Sequence, residues 1–110
     1  MSPEDKLAVE ECLVLWKYLA QSGERSKRRA IQKLNREGKL GKASYGDADC
    51  PLCEQFNCSN CPWKDIPNSI GEKTTCMTQG SPFLSWSGKN RIATQKAASA
   101  VYKFLKQIKV

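Results

Sequence analysis

Five of the six cysteines in this chain of 110 residues fall within a stretch of 27, as Cys50-x2-Cys53-x4-Cys58-x2-Cys61-x14-Cys76. A Cys-x2-Cys pair closes a tight turn that aims two sulfurs at one ion. Zinc in a structural site takes four such ligands in a tetrahedron at about 2.3 Å. Two pairs and a later fifth cysteine therefore predict a zinc-binding knot. An iron–sulfur cluster is the alternative cofactor, because it too is held by closely spaced thiolates. The spacing favours Cys50, Cys53, Cys61 and Cys76 as the ligands, with Cys58 as the alternative ligand. Thiolate in every position leaves no open place for water or substrate, so the ion is expected to be structural and its binding energy to serve folding.

Other chemistry is poorly provided for. The chain has no histidine. That removes the commonest general acid and base, the usual partner of a nucleophilic Ser or Cys, and most catalytic zinc sites. Asp47, Asp49 and Glu54 are three acids within eight residues. They raise a metal-dependent nuclease as a third reading, but capping or solvation explains such acids equally well. The composition leans against an enzyme. Met1-Ser2-Pro3-Glu4-Asp5 is acidic where a secretory leader would be basic, and no apolar stretch is long enough to span a bilayer. The expectation is a soluble chain in a reducing cytoplasm, without a membrane partner, where clustered cysteines serve as metal ligands rather than disulfides.

Charge is strongly segregated. The formal charge is −3 over residues 1–24, +7 over 25–42, −4 over 43–72 and +7 over 73–110, and the last 38 residues contain no Asp or Glu. Two basic segments thus flank a more acidic cysteine-rich middle. Arg25, Lys27, Arg28, Arg29, Lys33 and Arg36 put six cations into twelve residues with no intervening acid. Lys89, Arg91 and Lys96 open the second basic segment, and Trp63 and Trp86 offer rings that could stack on bases. These eleven residues are the candidate surface for nucleic acid or a protein partner, with Phe83 and Tyr45 as further rings. Charge runs more often simply face water, and Trp63 and Trp86 could equally cover the metal site.

Three helices must position this chemistry. Ser2-Pro3-Glu4-Asp5 combines an N-cap, a proline at the first helical position and acids in the first turn. Ala8, Cys12, Leu15, Trp16 and Leu19 then recur on one stripe as far as the stop at Gly23. Cys12 lies on that stripe and reads as a small buried hydrophobe rather than a sixth ligand. A second helix, starting near Ser22 or Glu24 and ending at Gly38, carries a short apolar stripe of Ala30, Ile31 and Leu34. Gly38 to Gly46 reads as a flexible connection, and prolines at 51, 62 and 67 argue against extended regular structure in the cysteine segment. The last helix, from Lys89 or Asn90 to Lys109, gathers Ala93, Ala97, Ala100, Val101, Phe104, Leu105 and Ile108 on one half of its wheel. The expected fold is mainly α: a single small domain with a helical pair at 1–38, an irregular Cys-rich metal-binding loop region at 45–80 and a closing helix at 89–110. So short a chain buries a thin core, which a metal staple would supplement.

Cys50-Pro51-Leu52-Cys53, Cys58-Ser59-Asn60-Cys61-Pro62-Trp63, Cys76 and Ser81-Pro82-Phe83 together resemble a pattern in small, mostly uncharacterised bacteriophage proteins. In those, a CxLC pair, a CxxCP pair, a further Cys and a small-Pro-aromatic step follow a helix containing Trp. Trp16 and the alanine-rich closing helix fit that arrangement, and Ser81 stands where the pattern has Thr. The resemblance covers most of the chain. It implies a phage origin, a metal site and action in the host cytoplasm, and it brings no assigned activity. The leading expectation is a small non-catalytic zinc protein that binds nucleic acid or a host complex handling it. The alternative is a phage-encoded inhibitor of a host protein, either a defence or a transcription component.

Overall fold

The computed structural model describes residues 2–42, 50–56 and 91–108, without the side chains of residues 53, 54 and 91–93. The described residues are mainly helical and contain no strand: α1 is Pro3–Ser22, α2 Lys27–Arg36, α3 Pro51–Gln55 and α4 Arg91–Leu105.

α1 is the helix on which the others rest; α4, α3 and α2 all pack against it. Its start is a capping box, in which Ser2 Oγ accepts from the Asp5 amide at 3.1 Å and Ser2 N donates to Asp5 Oδ2 at 3.3 Å. Pro3 occupies the first turn, and Gly23 closes the helix in the left-handed region (φ 72°), donating to Leu19 O at 3.1 Å. Ala8, Val9, Cys12, Leu15, Trp16 and Leu19 are buried, so the stripe read from the sequence is the seam of the fold, with Val9 added to it. Burying a side chain as large as Leu15 or Leu19 contributes about 1.5–3 kcal/mol.

α2 starts later than its periodicity suggests. Ser22 ends α1 and Glu24 lies in the turn, where Glu24 N donates to Ser22 Oγ and Glu24 Oε1 accepts from Ser26 N, both at 3.1 Å. Ser26 is the N-cap, its hydroxyl accepting from Arg29 N at 3.3 Å. Ala30, Ile31 and Leu34 are buried as expected. The helix ends in a Schellman turn: Lys39 N donates to Leu34 O at 2.8 Å, Gly38 N to Asn35 O at 3.0 Å, and Gly38 takes φ 76°. The chain beyond is held rather than loose as far as residue 42. Leu40 is buried, Asn35 Nδ2 donates to Leu40 O at 3.0 Å, and Gly41 N donates to Glu11 Oε2 at 2.9 Å.

Against expectation, α3 gives the cysteine segment one turn of regular helix. Pro51, which argued only against extended regular structure, sits at the first helical position of this single turn, where its fixed φ suits a helix start and its missing N–H costs nothing. Leu52 faces the core, and Gln55 Nε2 reaches Asp5 Oδ1 at 2.9 Å, fastening α3 to the first turn of α1.

α4 runs from Arg91 to Leu105 and tightens into a last turn, with Gln107 N donating to Phe104 O and Ile108 N to Leu105 O. Gln95 Nε2 lies 3.5 Å from Gln21 O, which sets the start of α4 beside the end of α1. The buried stripe is Thr94, Ala97, Ala98, Val101, Leu105 and Ile108. One expected member is corrected: Ala100 is exposed, whereas Phe104 is half-buried and packs against the core. Thr94 and Ala98 take the inner face instead, because alanine is indifferent to either side and the fit to α1 selects the face.

Gly38→Ala is expected to lower stability by about 1 kcal/mol, because a Cβ at positive φ costs roughly 1–2 kcal/mol, partly offset by a stiffer unfolded chain. Gly41→Ala is expected to be neutral or slightly stabilising: Gly41 is outside the left-handed region, and among the described residues an added Cβ would meet only Glu11 Oε2, at 3.5 Å. Urea denaturation of both variants beside the parent checks the contrast.

Candidate metal centre and basic surface

Of the ligands expected from spacing, Cys50 and Cys53 fall on described backbone, at the N-cap and in the first turn of α3. Cys50 is buried at 6 % exposure. The side chain of Cys53 is not described, and Cys58, Cys61 and Cys76 lie outside the described residues. Among the described residues no group of three or more His, Cys, Asp or Glu side chains converges as a metal site.

One approach was not anticipated. Cys12, at 1 % exposure in the middle of α1, has its sulfur 3.9 Å from that of Cys50. The reading of Cys12 as a buried member of the apolar stripe holds, and the fold adds a second sulfur beside it. The only sequence signal was a cysteine standing among hydrocarbon side chains. Its partner is 38 residues away, a separation that only the docking of α3 on α1 closes.

That docking has a second fastening at Asp5. The hydrogen bond from Gln55, with smaller contributions from Ser2, holds the Asp5 carboxyl below its ordinary range. A carboxyl depressed in the folded state contributes stability above its unfolded value, and that stability disappears as pH falls through the folded value.

The basic surface divides by helix. Arg25, Arg28, Arg29, Lys33 and Arg36 are exposed on and just before α2, and Lys96 is exposed on α4. Lys27 is half-buried, with its Nζ 6.0 Å from the centroid of the Trp16 ring, and Lys33 Nζ lies 5.3 Å from that of Tyr18. These two cations therefore help seat α2 on α1. Arg91 opens α4, but its side chain is not described; Lys89, Trp63 and Trp86 lie outside the described residues, as do Asp47 and Asp49. Glu54 is in α3, its side chain not described.

The placing of the cations on α2 is electrostatically unfavourable for the helix itself. The first turn carries Lys27, Arg28 and Arg29 and no acid, so positive charge stands at the positive end of the dipole. Each such charge costs about 0.3–1 kcal/mol at low ionic strength. Glu24, just before the N-cap, offsets part of this. Helix stability does not explain the run, and an anion bound there would relieve it.

No protein-family model, curated protein or solved structure matches the chain. Among the described residues no helix is long and apolar enough to cross a membrane.

Gln55→Ala is expected to return the Asp5 carboxyl toward its ordinary range and to destabilise the fold at neutral pH. The difference from the parent should vanish well below roughly pH 4, where Asp5 is protonated in folded and unfolded chains alike. A carbon-13 titration of Asp5, with denaturation at neutral and acid pH, checks both parts.

Proposed function

We propose that this chain is a small, non-catalytic, zinc-stapled helical protein of bacteriophage origin that binds nucleic acid or a host complex handling it. The observation that carries the binding reading is the run of exposed cations at and beside the start of α2, set against the helix dipole. Phosphate is the ligand class that such a site favours, since arginine forks match its geometry and amide N–H groups at a helix start point toward it. The second basic segment, with Lys96 and Lys103 exposed on α4 and Lys106 exposed just beyond it, adds charge without adding acid. The zinc reading rests on the Cys-x2-Cys spacing and on the burial of Cys50 against α1. The phage origin rests on the resemblance of the cysteine pattern.

Binding is expected to single- or double-stranded DNA or to RNA, with affinity falling steeply as salt rises. Arg28→Ala and Arg29→Ala should each flatten the log–log salt dependence by about one, the effect of one lost phosphate contact. Titrations at two or more salt concentrations check this, and an affinity no tighter than millimolar at low salt overturns it. A stoichiometric protein partner that survives nuclease treatment of a host lysate would then mark the protein as a host-protein inhibitor. Metal-dependent cleavage of a labelled oligonucleotide, lost on Asp49→Ala, would mark it as a nuclease.

Removal of zinc by a strong chelator is expected to lower thermal stability and to loosen the docking of α3. Circular dichroism melts with and without chelator, beside metal analysis of the protein as purified, provide the check. A metal-free protein with an unchanged melt in chelator overturns the staple.

A further inference from the structure

We propose that Cys12, in the middle of α1, is a ligand of the metal ion and shares it with Cys50. The inference rests on the metal reading given above and changes its ligand set.

The two sulfurs are 3.9 Å apart and come from elements separated by 38 residues. Two thiolates on one tetrahedral zinc, each at about 2.3 Å, stand about 3.8 Å from one another. A disulfide would need about 2.05 Å, so the two sulfurs are not bonded to each other. Both are buried, at 1 % and 6 % exposure, which is where a closed thiolate site belongs. Packing of two thiols gives a similar separation, but two features go beyond packing. Cys12 is the one sulfur on a buried stripe otherwise made of Ala8, Val9, Leu15, Trp16 and Leu19. The residue it meets is the first member of the Cys50-x2-Cys53 pair, the motif with metal-ligand spacing.

α3 is held so that this meeting is maintained. Gln55 grips Asp5 at one end, Leu52 is buried between, and Cys50 lies against Cys12 at the other end. Asp5 and Cys12 are seven residues, about two helical turns, apart along α1. α3 thus lies along α1 with its N-cap cysteine delivered to the buried face. With Cys12 and Cys50 in two of the four positions, only two of Cys53, Cys58, Cys61 and Cys76 are needed, and the fifth cysteine of the cluster is no longer the only surplus. The ion would then join the cysteine segment directly to the central helix.

Cadmium-113 is the probe, because it replaces zinc at thiolate sites and couples through sulfur to the β-protons of each ligating cysteine. A cadmium–proton correlation spectrum of the full-length parent is expected to show cross-peaks to the β-protons of both Cys12 and Cys50. Cross-peaks to Cys50 and other cysteines without Cys12 overturn this inference and leave the metal reading standing. Failure of the parent to take up cadmium overturns both. As a second measurement, Cys12→Ala is expected to lower cadmium affinity by at least about tenfold, since even an outer-shell partner is worth roughly 10–100-fold. Affinity within a factor of about two of the parent overturns the assignment. Should Cys12→Ala fail to fold, the spectrum of the parent still decides.

Discussion

The structure depends on one buried seam. Ala8, Val9, Cys12, Leu15, Trp16 and Leu19 form a continuous inner face on α1, and each of the other described helices is stable only because it covers part of it. α2 has three buried residues and an unfavourable charge distribution, and α3 is a single turn. Isolated helices of that length are marginal at best in water, so their existence is a consequence of tertiary contact. In a chain of this size the burial is modest, and each docked element carries a large share of the stability.

The same seam links the two candidate functions. On one side, Trp16 and Tyr18 receive Lys27 and Lys33 and so hold the basic helix in place. On another, Cys12 receives Cys50 and, with the Asp5–Gln55 hydrogen bond, holds the start of the cysteine segment. The cationic helix and the start of the cysteine segment are thereby fixed to one helix. α2 tolerates its cationic first turn because its stability comes from Ala30, Ile31 and Leu34 rather than from its own electrostatics.

Most of the architecture was legible from local signals. The capping residues of α1, its stripe and its glycine stop were read correctly, as was the inner face of α2, because each depends on residues within a few positions of one another. Errors fell where local signals compete. The second helix was expected to start near Ser22 or Glu24, but Ser22 ends α1, Glu24 is used in the turn and Ser26 is the cap. Pro51 was read as a breaker, yet a proline at the first helical position begins a helix as readily as it ends one. On α4 an excess of alanine left the edge of the inner face ambiguous, so Ala100 was read as inside where Ala98 is.

By itself the sequence determined the helical class, the helix ends set by single capping residues, the cysteine spacing and the segregation of charge. Each of these is a property of neighbours along the chain. Only the tertiary structure decided that Cys12 and Cys50 meet, that Lys27 and Lys33 are partly engaged with rings on α1, and which face of α4 is inside. These are contacts between residues far apart in sequence, and they exist because several helices must bury their apolar faces on one rod at once.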